Sequence, residues 1–95
     1  GGITPGRFMT LPGQEAVVFA ESLDTKTRKL NNIFVFYESE DELRVISARS
    51  ADQVDGEVEG ERFLELEDGQ MFTGLPGDDQ FSHVSYKKNG VLLAD

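Results

Sequence analysis

The chain has no cysteine, no tryptophan, a single histidine and only three prolines. Without thiols there is no disulfide scaffold, thiolate zinc site, iron–sulfur cluster or cysteine nucleophile. That absence fits either redox compartment and chooses neither. One histidine removes every multi-histidine metal site. The longest apolar stretches, Ala16–Ala20 and Ile33–Tyr37, are five residues each. A membrane-spanning helix needs roughly 18–20. Positive charge is scarce too: nine Lys and Arg stand against 18 Asp and Glu, a formal charge of −9. Such a surface repels a polyphosphate backbone and an anionic bilayer alike, so nucleic-acid binding is not expected. The opening, Gly1-Gly2-Ile3-Thr4-Pro5-Gly6, lacks the tripartite pattern of a signal peptide. That leaves a cytosolic protein or a piece of something larger.

What is present is a hydrophobic period of 2, in short runs rich in Val, Ile, Phe and Tyr. The first expected strand is Gly6–Leu11, closed by the turn dipeptide Pro12-Gly13. Glu15–Ser22 follows, then a polar connecting loop over Leu23–Leu30 before Asn31-Asn32. Ile33–Glu38 is apolar on both faces, as a strand covered on two sides would be. Glu38–Glu42 reads as an acidic turn before the strand Leu43–Ala51, and Asp52–Glu61 as a hairpin turn or wide loop. Arg62–Glu67 alternates cleanly, and Asp68-Gly69 is expected to fold it tightly onto Gln70–Leu75. Pro76–Asp79 turns the chain into Gln80–Lys88, and Asn89-Gly90 turns it again into Val91–Ala94. No segment carries apolar residues at helical spacing over ten or more positions. Seven or eight short strands in 95 residues make one all-β domain: a sandwich, jelly roll or small barrel.

Catalytic chemistry is hard to find. His83 has Ser82, Ser85, Asp78 and Asp79 nearby in sequence, but neighbours on one strand point to opposite faces. No strained Gly-x-Ser-x-Gly turn is present. The acids of Asp55–Glu61 invite a calcium reading, yet their spacing is not that of a calcium loop, and alternating Glu on a hairpin makes a solvent face. The glycines sit at turns, without the strand–glycine–helix order of a phosphate cradle. What stands out is seven phenylalanines. Phe19, Phe34, Phe36, Phe63, Phe72 and Phe81 all fall in expected strands. Either they fill the core, or two sheets splay apart and the rings line a groove for an apolar ligand.

Read in order, the pieces resemble a known family. Gly6-Arg7-Phe8, Val17-Val18-Phe19-Ala20-Glu21-Ser22 and Ile33-Phe34-Val35-Phe36 are similar to early strands of the periplasmic domain of LptF-type permeases. These are subunits of the lipopolysaccharide-export ABC transporter. Leu64-Glu65-Leu66-Glu67-Asp68-Gly69, Phe72-Thr73-Gly74, Phe81 and Tyr86 continue the resemblance in order, from Gly6 to Leu93. The ordered series carries it rather than any one motif. LptG-type permeases and the related bridge proteins are the nearest alternatives.

The resemblance implies a jelly roll, an open two-sheet sandwich of antiparallel strands, over residues 6–95, with residues 1–5 as linker. It implies the periplasmic domain of an inner-membrane protein in a Gram-negative bacterium. The partners would be lipopolysaccharide through its acyl chains, an LptC-like bridge jelly roll docked strand edge to strand edge, an LptG-type permease and an LptB-type ATPase. Since that ATPase is a separate subunit, the domain would be no enzyme and need no cofactor or metal. By alternation, the inward groove candidates are Val17, Phe19, Phe34, Phe36, Val45, Leu64, Leu66, Phe72 and Phe81. In Ile33–Tyr37 the opposite set, Ile33, Val35 and Tyr37, is almost as good. Arg44, Arg49 and Arg62 are basic residues that could meet phosphates. Two other readings compete. One is a strand-edge docking adaptor with a filled core. The other is a sugar-binding β-sandwich, which needs an exposed aromatic platform beside carboxylates.

Overall fold

A computed structural model of the chain describes residues 2–94. Gly1, counted in the linker, and Asp95, counted in the domain, lie outside the described residues. Six strands follow one another: β1 (Phe8–Thr10), β2 (Ala16–Leu23), β3 (Leu30–Glu38), β4 (Leu43–Asp55), β5 (Arg62–Gly74) and β6 (Phe81–Ala94). They form one antiparallel sheet in sequence order, so every connection is a hairpin. The fold is all-β, and among the described residues no helix is long and apolar enough to cross a membrane.

The hairpin links use local chemistry. Gly13 takes φ 71° in the β1–β2 turn. In the β2–β3 turn, Asp24 Oδ1 accepts from the Lys26 and Thr27 amides at 2.8 and 3.1 Å. Those donors, Thr27 foremost, hold the Asp24 carboxyl below its ordinary value.

Two expected turns are not turns. Asp68-Gly69 lies inside β5 and Asn89-Gly90 inside β6, so the seven or eight short strands become six, the last two 13 and 14 residues long. Asp68 does adopt the left-handed backbone that its dipeptide favours, with φ 53°. One such residue bends a strand, whereas the type I′ hairpin turn that Asp-Gly favours needs both central residues rotated. Gly90 stays in register opposite Glu65. β3 likewise begins at Leu30, and β4 runs on to Asp55, so the wide loop shrinks to residues 56–61.

Asp68 belongs to a crease across the sheet. The four ladders among β2–β6 each skip one pair, and the skipped residues form a single row: Glu21, Asn32, Arg49, Asp68, Lys87. Asn32 in β3 and Asp68 in β5 both take positive φ there, 52° and 53°. The inside–outside alternation shifts by one at this row. Leu30 and Ile33 are buried on β3, and Ala48 and Ala51 on β4, each pair three residues apart. A regular strand would bury residues two or four apart.

The crease lets one sheet face itself. Both sides of it contribute to a single core: Val18, Ile33, Val35 and Ile46 from one side, Leu30, Leu64, Leu66, Val91 and Leu93 from the other. Ile3 and Leu11 complete that core. Gln14 Nε2 donates to the Leu92 carbonyl at 3.1 Å, tying the β1–β2 turn to the far end of β6. Alanines at 16, 20, 48 and 51 are all buried. Their small side chains allow close approach of the layers.

Candidate functional site

Register decides which phenylalanines are neighbours. Phe8 lies opposite Phe19, Phe19 opposite Phe34, and Val17 opposite Phe36. Phe36 is opposite Val45, Val45 opposite Phe72, Phe72 opposite His83, and Gly74 opposite Phe81. Directly paired residues share a face. Seven of the nine groove candidates, Val17, Phe19, Phe34, Phe36, Val45, Phe72 and Phe81, therefore lie together on one face of the sheet. Leu64 and Leu66 do not join them; both are fully buried in the core.

That face points outward, which corrects the expected facing. Ile33 and Val35 are 0% exposed, while Phe34, Phe36, Phe72 and Phe81 are 40, 38, 38 and 54% exposed. Alternation separates the two sets but assigns neither to the core. The smaller aliphatic set fits between the closely folded layers, and the rings are left outside. The rings neither fill the core nor line a gap between splayed sheets. They form an open apolar patch of the kind that marks a binding surface.

Ring contacts organise the patch. Phe8 and Phe19 are 5.0 Å apart by centroids, Phe34 and Phe36 6.3 Å. Phe8, 68% exposed, joins this face from β1 although it was not among the groove candidates. His83 stacks on Phe72 at 4.6 Å with 6° between planes. Its Nε2 lies 2.9 Å from Gln70 Oε1, not on Ser82, Ser85 or the Asp78–Asp79 pair.

A groove of about 720 Å³ follows the crease beside this face. Glu21, Asn32, Arg49, Asp68 and Lys87 line it, with Phe34 and Gln70 from the adjoining row. Of the three arginines considered for phosphate contact, Arg44 pairs with Glu42 and lies over the Tyr37 ring, and Arg62 lies 3.8 Å from Asp55. Arg49 alone stands in the groove.

Among the described residues, the one group of three close carboxylates is Asp52, Glu65 and Glu67, not the acids of residues 55–61. Lys29 Nζ already sits there, 2.7 Å from Glu67 and 2.9 Å from Asp52. Hydrogen bonds to Glu67 and then Asp52 hold the Lys29 ammonium above its ordinary value.

Under the groove, Tyr86 covers Gly69. Its hydroxyl donates to the Ser47 carbonyl at 2.6 Å, and burial pushes the phenol up from 10.0 to about 12. Ionisation then occurs first in the unfolded chain. The stability it confers is complete below pH 10.0 and declines as pH rises towards about 12. Tyr86→Phe should lower stability at pH 8 by about 1 kcal/mol, through the lost hydrogen bond. The variant should also lose less melting temperature than the parent between pH 10 and 12; parallel curves would remove Tyr86 from the alkaline transition. Tyr37, also raised by burial, supplies a residual slope.

The chain matches no family model and no curated protein.

Proposed function

We propose that the chain is a periplasmic jelly-roll domain of an LptF-type permease, and that its phenylalanine face carries acyl chains of lipopolysaccharide. The single observation behind this reading is the outward face itself, on which Phe8, Phe19, Phe34, Phe36, Phe72 and Phe81 meet water instead of core. Burying acyl chains there is favourable by about 0.8 kcal/mol per CH₂. An open face leaves phosphorylated sugars hydrated. The ordered resemblance of the strands supports the family reading, and the crease, which turns one antiparallel sheet over a single core, supports the jelly-roll form. Under this reading an LptC-like jelly roll adds to a strand edge, and LptG-type and LptB-type subunits complete the transporter.

A filled core and the open edge of β6 favour a second reading, a docking adaptor that meets its partner through backbone hydrogen bonds and touches no lipid. Photo-crosslinking in the assembled, ATP-driven transporter separates the two. A photoreactive residue replacing Phe19, then Phe72, should give adducts with lipopolysaccharide, while one at Glu65 should not. Efficient transport without adducts at Phe19 and Phe72 would leave the adaptor.

A further inference from the structure

We infer that the groove along the crease binds a saccharide. The inference goes beyond the lipid reading and rests on the crease, sharing only Phe34 with the acyl face. Glu21, Asn32, Arg49, Asp68 and Lys87 stand on five successive strands. At ~4.8 Å per strand, this ladder of polar groups is roughly 19 Å long. Among the described residues, none of these five side chains is hydrogen-bonded or ion-paired to another protein group, although other surface charges are.

The order of charges selects the ligand. Two carboxylates and two cations cancel, in a chain whose formal charge is −9. Asp68 lies between Arg49 and Lys87, so a phosphate approaching either cation meets a carboxylate. A metal cation approaching Asp68 meets two positive groups. A hydroxyl both donates and accepts, and so satisfies carboxylates, amides and cations along the same row. Phe34, 40% exposed and lining the groove beside Gln70, adds the aromatic platform that a sugar ring requires, since polarised C–H groups are drawn to an electron-rich aromatic face. The groove's volume of about 720 Å³ falls in the ~300–1,000 Å³ range of small-ligand sites. The length of the ladder suits an oligosaccharide better than a single ring.

Free oligosaccharide and the glycan head of an amphiphile share this chemistry, and amide NMR titration of the whole chain distinguishes them. The probes are maltotriose, chitotriose, mannotriose and octyl glucoside. A trisaccharide source gives saturable shifts at Asn32, Arg49, Asp68 and Gln70. An amphiphile source gives them only with octyl glucoside, together with shifts at Phe36 and Phe72. Asp68→Asn, which keeps a residue tolerant of positive φ, and Arg49→Gln should each weaken binding about tenfold (~1.4 kcal/mol), and Glu65→Gln should leave it unchanged. Four probes silent at the crease, or both variants binding as tightly as the parent, would overturn the inference. Octyl glucoside shifts confined to the phenylalanine face overturn it as well and leave the lipid reading standing. Octyl glucoside shifts at the crease without any on that face do the reverse.

Discussion

Gly69→Val is expected to destabilise the fold by roughly 3–5 kcal/mol, enough to unfold a marginal domain outright. A Cβ at this position would lie 1.8 Å from the Ser47 carbonyl oxygen and 2.4 Å from the Tyr86 hydroxyl. Neither group can withdraw cheaply. Ser47 is backbone in the middle of the sheet, and the Tyr86 hydroxyl is bonded to that same carbonyl. Gly90→Ala is the matched control, another glycine from a turn-like dipeptide that sits inside a strand. Nothing lies within 4 Å of a Cβ there. The alanine should be neutral, or stabilising by up to ~1 kcal/mol through reduced freedom of the unfolded chain. Urea unfolding of the two variants reads the difference directly. Equal midpoints would remove the close packing at the crease.

The second large effect tests which face is inside. Leu66→Ala should cost about 3–5 kcal/mol, the usual range for a fully buried leucine that leaves a cavity. Phe81→Ser deletes a larger side chain but should cost about 1 kcal/mol or less, the scale of one cross-strand pair. Phe81 is more than half exposed, and its ring lies over Gly74 at the end of β5. Both residues were groove candidates on the same alternation argument, so the pair isolates what alternation leaves out. A Phe81→Ser cost equal to that of Leu66→Ala would turn the phenylalanine face inward again and end both ligand readings.

The crease left a trace in the sequence. Each long strand carries two consecutive polar residues where alternation should place one: Glu21-Ser22, Asn31-Asn32, Arg49-Ser50, Glu67-Asp68 and Lys87-Lys88. In isolation Asp68-Gly69 reads as a turn, since Asp tolerates left-handed backbone. Five such pairs at one sheet row make a bend instead, but that row exists only once register is known.

Local chemistry determined much of this protein. Period-2 alternation with β-branched and aromatic residues made it all-β, and Pro12-Gly13 and Pro76-Gly77 placed two hairpins, because backbone preference acts within a few residues. The four Phe and Val positions of β2 and β3, the two of β4 and β5 and Phe81 were legible as one set for the same reason. Tertiary structure alone decided whether that set faced core or water. Two apolar faces of a strand are equivalent until something packs against one of them. Here the choice was made by residues distant in sequence: Ile3, Leu11, Val91 and Leu93, brought over the small aliphatic face when the sheet folds along Asn32 and Asp68.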